Sequence, residues 1–150
     1  MAALKHAVHN ACLGSTQQKI NLVQQSIQEA QRSANEETKS SAGDKYETGR
    51  AMAQLEIEKL TTQLTVLQRQ LQELIRIGPF SISSHIAAGS LVHTDAGIFY
   101  IATNVGDVVA EGKKVFAISP QAPIAQKMIG LSATDVIQLN GRTFRIVAVE

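Results

Sequence analysis

Two heptad seams constrain this chain more than any other feature. Leu13, Thr16, Ile20, Val23, Ile27, Ala30 and Ala34 step alternately by three and four residues, and so do Ala53, Ile57, Leu60, Leu64, Leu67, Leu71 and Leu74. Such stepping lines one narrow stripe of a helix with apolar groups, which must be covered by a second helix. No glycine or proline interrupts residues 15–42 or 50–77, and the apolar-poor stretch between them contains Gly43 and Gly49. The seams also mirror each other. Leu13 with Leu74, Ile20 with Leu67, Val23 with Leu64, Ile27 with Leu60 and Ala34 with Ala53 are equidistant from the Gly43–Asp44 bond. An antiparallel hairpin folded about that bond puts each pair in one layer, with arms roughly 45 Å long at about 1.5 Å rise per residue. Two helices of an intermolecular coiled coil are the competing arrangement. The mirrored register favours a hairpin within one chain, hence a monomer.

Beyond residue 78 the character changes. Residues 1–78 are rich in glutamine and hold one aromatic, Tyr46, and no proline, whereas residues 79–150 hold all three prolines. Gly78-Pro79 marks the join, where glycine can end a helix and proline cannot continue one. The expected domains are therefore 1–78 and 79–150. Leu91–Thr94 and Ile98–Ala102 flank Asp95-Ala96-Gly97 as a hairpin, and Lys113–Ser119 is another strand. Val136–Leu139 and Arg142–Val149 flank Asn140-Gly141, the signature of a type I′ turn. In that register Ile137, Leu139, Phe144, Ile146 and Ala148 share the core face. Pro123 opens a two-turn helix that Gly130 stops. The fold class is α+β, an N-terminal antiparallel helical hairpin followed by a small β-rich domain.

Composition narrows the function. A chain of 150 residues falls short of most large catalytic architectures, which need about 200 or more. A net charge of +1 argues against holding nucleic acid by bulk electrostatics, which takes several clustered cations. The single cysteine, Cys12, allows no internal disulfide and fits a reducing compartment. No apolar run approaches the about 18 residues of a membrane span, so no membrane association and a cytoplasmic location are expected.

Chemistry concentrates at the hairpin tip, Ser40-Ser41-Ala42-Gly43-Asp44-Lys45-Tyr46-Glu47-Thr48-Gly49. Asp44 followed by Glu47 is a capping box by spacing. Residues three apart on a first helical turn also share a face, and two carboxylates there can offer oxygens to Mg²⁺, which commonly takes one or two and keeps several waters. Tyr46 lies between them with little core to pack against, and Lys45 and Arg50 flank them. Elsewhere, His6, His9 and Cys12 step by three, a weak metal-ligand spacing at a chain terminus. There is no glycine-rich phosphate loop and no nucleophile elbow.

The layout resembles that of the bacterial Gre transcript-cleavage factors, in which an acidic-tipped hairpin precedes an FKBP-like domain. Gly43-Asp44-Lys45-Tyr46-Glu47 is similar to the family's G-D-x-x-E. The run Ile118-Ser119-Pro120-Gln121-Ala122-Pro123-Ile124-Ala125-Gln126-Lys127-Met128-Ile129-Gly130 is similar to its S-P-[IL]-A-x-x-[LI]-[LI]-G segment, and Thr134 stands where the family usually has glycine before Asp135. The resemblance implies a non-enzymatic accessory factor that binds bacterial RNA polymerase. The C-terminal domain docks through Pro120, Pro123, Ile124, Gln126 and Lys127, and the hairpin enters the secondary channel. There Asp44 and Glu47, supported by Lys45, Tyr46 and Arg50, help hold Mg²⁺ shared with the polymerase and orient water toward the backtracked RNA 3′ end. No cofactor of its own is implied, and metal is held only in the complex. After Glu47, Thr48-Gly49-Arg50-Ala51 departs from the family's continuation. The alternatives are a channel-binding regulator without cleavage activity and a coiled-coil interaction module unrelated to transcription.

Overall fold

The computed structural model describes residues 2–39 and 43–150; the side chains of residues 2, 37–39 and 43–46 lie outside the described set. Helix α1 (Ala2–Lys39) and helix α2 (Gly43–Ile77) form the helical hairpin. Strands β1 (Leu91–Thr94), β2 (Gly97–Ile101), β3 (Gly106–Ala110) and β4 (Lys113–Ile118) follow, then helix α3 (Pro123–Met128), β5 (Val136–Leu139) and β6 (Arg142–Val149). The α+β class and the order of hairpin then β domain are as the sequence reading expects. The Gly43–Asp44 bond, expected at the centre of the reversal, belongs to the first turn of α2, and residues 40–42 lie outside the described set.

The chain divides into two compact units, and the division falls within the two long helices. One unit is Gln17–Arg69. Within it the seam residues are the shielded ones. Ile20, Ala34 and Leu60 are buried, and Val23, Ile27, Ala30, Ala53, Ile57, Leu64 and Leu67 are half-buried among exposed neighbours. Gln31, Ala34 and Asn35 of α1 line one small cleft with Gln54 and Ile57 of α2, the layer at which the mirrored register pairs Ala34 with Ala53. Two helices can cover only one stripe of each other, which is why this narrow seam accounts for the unit's apolar burial.

The other unit joins the chain up to Thr16 with Gln70–Glu150. Its six-stranded sheet has the order β3-β4-β2-β1-β6-β5, with β2 and β4 parallel and every other pair antiparallel. Alternation along the strands gives the sheet two apolar faces. On one, Leu91, Tyr100, Ala102, Val108, Ala110, Val115 and Ala117 pack with Leu4, Val8 and Cys12 of α1 and Leu74 of α2. On the other, Val92, Ile101, Ile137, Phe144 and Ile146 pack with Ile86 and with Ala125 and Met128 of α3. The helix roots thus belong to the β domain's core, because the seam faces that pair in the hairpin give way there to a Leu4–Val8–Cys12 face spaced by four.

Local signals hold at the turns. Gly78 takes φ +67° and its N–H donates to the Leu74 carbonyl at 3.0 Å, a left-handed helix stop. Asn140 and Gly141 have φ +53° and +76°, and the register pairs Leu139 with Arg142 and Ile137 with Phe144, the type I′ hairpin expected. One position departs from the expected core face. β6 pairs Ala148 with His93 and Ile146 with Thr94, so β6 carries an extra residue at Val147. That bulge reverses the alternation: Ala148 leaves the face shared by Ile137, Leu139, Phe144 and Ile146, and Val149 packs there in its place. Strand β3 is a further addition, an edge strand that the sequence patterning did not mark.

Candidate functional site

Asp44 and Glu47 both fall in the opening turns of α2. The side chains of Asp44, Lys45 and Tyr46 lie outside the described residues, while Glu47 and Arg50 are exposed one turn further on. The expected metal pair is therefore placed by backbone alone: two carboxylate-bearing positions three apart on one face of a helix start. Among the described residues no group of three or more His, Cys, Asp or Glu side chains gathers to hold a metal ion.

The expected docking segment forms a turn and a short helix over the sheet. Ser119 shapes the entry: its carbonyl accepts the Ala122 N–H at 3.0 Å, and its Oγ accepts the Gln121 N–H at 3.1 Å. Pro123 then occupies the first turn of α3, where its missing N–H costs nothing. Ala125 and Met128 point into the core, which leaves Pro123, Gln126 and Lys127 exposed with Pro120 and Ile124 half-buried beside them. Gln126 Nε2 donates to the Pro120 carbonyl at 2.6 Å and ties helix to turn. The five residues thus mix apolar Pro120, Pro123 and Ile124 with polar Gln126 and Lys127 along one turn and helix. Past α3, Asp135 closes the next turn, its Oδ2 accepting the Ser132 N–H at 2.8 Å, while Thr134 adopts φ +77°.

Sequence reasoning missed a polar cluster at the root of α1. His6, His9 and Cys12 do not converge as ligands. His6 is exposed, its ring edge-on to Phe80 at 5.2 Å, and Cys12 is wholly buried. His9 is buried, and its Nδ1 shares a 2.7 Å hydrogen bond with the Tyr100 hydroxyl. Burial, then the nearby His6 and Lys5, pull the His9 pKa below the ordinary imidazole value, and burial pushes the Tyr100 phenol up. The pair is a neutral one. Four residues earlier, Lys5 Nζ donates to the Ser81 carbonyl, and burial lowers its pKa against an opposing pull from Glu150. Glu150 in turn binds His93 Nε2 through Oε2. The signal available in sequence was Lys5 and His9 beside the Leu4–Val8–Cys12 face, one helical turn apart.

No family model, curated protein or solved structure matches this chain. Among the described residues no helix is long and apolar enough to cross a membrane.

Proposed function

We propose that this protein is a Gre-type accessory factor of bacterial RNA polymerase, stimulating cleavage of backtracked RNA through the carboxylates of Asp44 and Glu47. The observation that carries the reading is the buried seam of the Gln17–Arg69 unit. It gives the hairpin a covered apolar stripe of its own, with Leu22, Met52, Leu55 and Val66 exposed outside that stripe, and two acidic positions stand at the start of the returning helix. The β domain gives separate support. Thr134 holds a left-handed backbone conformation at the position where the Gre family usually has glycine, the residue that tolerates it best. The Pro120–Lys127 edge supplies the exposed docking side chains. Under this reading the polymerase remains the enzyme and the tip lends it ligands. Asp44 and Glu47 would help hold a weakly bound Mg²⁺, and that ion would supply an activated water and charge stabilisation for the leaving oxygen.

The test is a cleavage assay on a stalled, backtracked elongation complex with Mg²⁺. The intact protein should accelerate release of the RNA 3′ fragment. Asp44→Ala and Glu47→Ala should each remove most of that acceleration while polymerase binding stays within about twofold, because tip carboxylates act on the reaction and not on docking. Binding without stimulation at any Mg²⁺ concentration would replace this reading by the non-cleaving channel regulator, which the Thr48-Gly49-Arg50-Ala51 departure favours. Absence of polymerase binding leaves the interaction module.

A further inference from the structure

Residues 79–83 run along the β-domain unit with their polarity reversed. In a segment lying on a core, apolar side chains ordinarily turn inward. Here Ser81 faces in, and Phe80 and Ile82 face out, 74% and 96% exposed. Among the described residues, Ser81 carries the strap's hydrogen bonds to Lys5 and Gly89. Its carbonyl accepts from Lys5 Nζ, its Oγ lies 3.4 Å from the same nitrogen, and Oγ donates to the Gly89 carbonyl at 3.4 Å. Beside the strap is a groove of about 360 Å³, walled by Pro79, Phe80, Ile82 and Val149, with Lys5 and Glu150 among its lining residues. Its size and mixture of apolar wall and few polar groups are those of a binding cleft.

The polar groups decide what the groove takes. The Lys5 ammonium is already engaged with Ser81. Glu150 is not fully used: its side chain is 8% exposed, one oxygen bonds His93, and Oε1 is buried with no hydrogen-bond partner among the described residues. A buried carboxylate oxygen without a donor is a standing demand for an N–H group. An anion would have to compete with Ser81 for Lys5 and would face the Glu150 charge. A cation on an alkyl stem faces the Lys5 charge as well, but that ammonium is held by Ser81, and the cation meets an unfilled acceptor on Glu150, with Phe80 available for the stem and for cation–π contact.

We propose that this groove receives a lysine or arginine side chain from an extended segment of a partner protein, its N–H groups bonding Glu150 Oε1 and its apolar neighbours lying on Phe80 and Ile82. Because Oε1 is buried in the free protein, the proposal requires the strap to yield about its Ser81 anchor on binding. The inference stands apart from the polymerase reading and survives or fails without it.

The experiment titrates the full-length, ¹⁵N-labelled protein with two blocked tripeptides, acetyl-Leu-Lys-Leu-amide and acetyl-Leu-Glu-Leu-amide. The lysine peptide should shift the amide resonances of Lys5, residues 80–83 and Glu150, and bind at least tenfold tighter than the glutamate peptide. Glu150→Gln should abolish that preference, and Ile82→Ser should weaken the lysine peptide several-fold. Val147→Ser, at an exposed β6 position outside the groove lining, should leave binding unchanged. If Glu150→Gln loses spectral dispersion, Ile82→Ser decides, since so exposed a site tolerates the change. Equal affinity for the two peptides, preference for the glutamate peptide, shifts elsewhere, or no shifts at all would each overturn the proposal.

Discussion

The buried His9–Tyr100 hydrogen bond is the contact on which attachment of the α1 root to the sheet can be measured most cleanly. Both residues are almost wholly buried and the bond is 2.7 Å long, so removing one partner strands the other away from water. Tyr100→Phe should therefore cost about 1–3 kcal/mol, and His9→Leu a similar amount. The double variant removes both polar groups and should be less destabilised than the two single costs combined, by about 1–2 kcal/mol. In thermal terms each kcal/mol is worth about 2–4 °C for a chain of this size. The assay is urea unfolding at pH 8, followed by circular dichroism and by size-exclusion elution volume, which every variant permits; coincidence of the two transitions licenses the comparison. The pH arm has a definite sign. Because the folded His9 pKa is depressed, the unfolded chain binds that proton first. His9 thus contributes full stability above the unfolded value of 6.5 and loses it as pH falls toward the folded pKa, with a slope of at most about 1.4 kcal/mol per pH unit. His6 and Lys5 lie near His9 and add to the depression, so the difference between wild type and His9→Leu isolates the effect. That difference should shrink as pH drops from 7 to 5. Additive single costs, or a difference that widens on acidification, would refute the assignment of a buried neutral pair.

Two further outcomes test the framework around it. Leu74→Ala, at a fully buried position in the core beneath the sheet, should cost about 2–5 kcal/mol, and Ile27→Ala, half-buried in the hairpin seam, clearly less; chemical denaturation of the two variants side by side checks the ranking. Val23→Cys with Leu64→Cys, in a Cys12→Ala background, should oxidise to a disulfide within one chain, read as a mobility shift without dimer on a non-reducing gel. Dimer alone would assign the seams to an intermolecular coiled coil.

Some of this architecture follows from local sequence. The alternating three-and-four spacing from Leu13 to Ala34 and from Ala53 to Leu74 names the stripe that must be covered, and that stripe is the shielded one in the structure. Asn140-Gly141, Gly78 and Pro123 act through backbone dihedrals that few other residues adopt, so turn, helix stop and helix start are readable one residue at a time. The two tip acids are legible for the same reason, as a fixed spacing on a helix turn. What a periodic pattern leaves open is the identity of the covering partner. Leu4, Val8 and Cys12 declare an apolar face, but only the packed sheet supplies Leu91 and Tyr100 to meet it, and only there does His9 find a hydroxyl. The bulge at Val147 is likewise a matter of pairing between β6 and β1, and it redirects Ala148 against its own alternation. Glu150, His93, Lys5 and Ser81 come from three distant stretches of chain, and the unfilled carboxylate oxygen among them exists only once the chain has folded. Spacing along the chain encodes which side of an element avoids water; which elements share that dry interior is decided by their combined shapes, and only then are buried polar groups paired or left waiting.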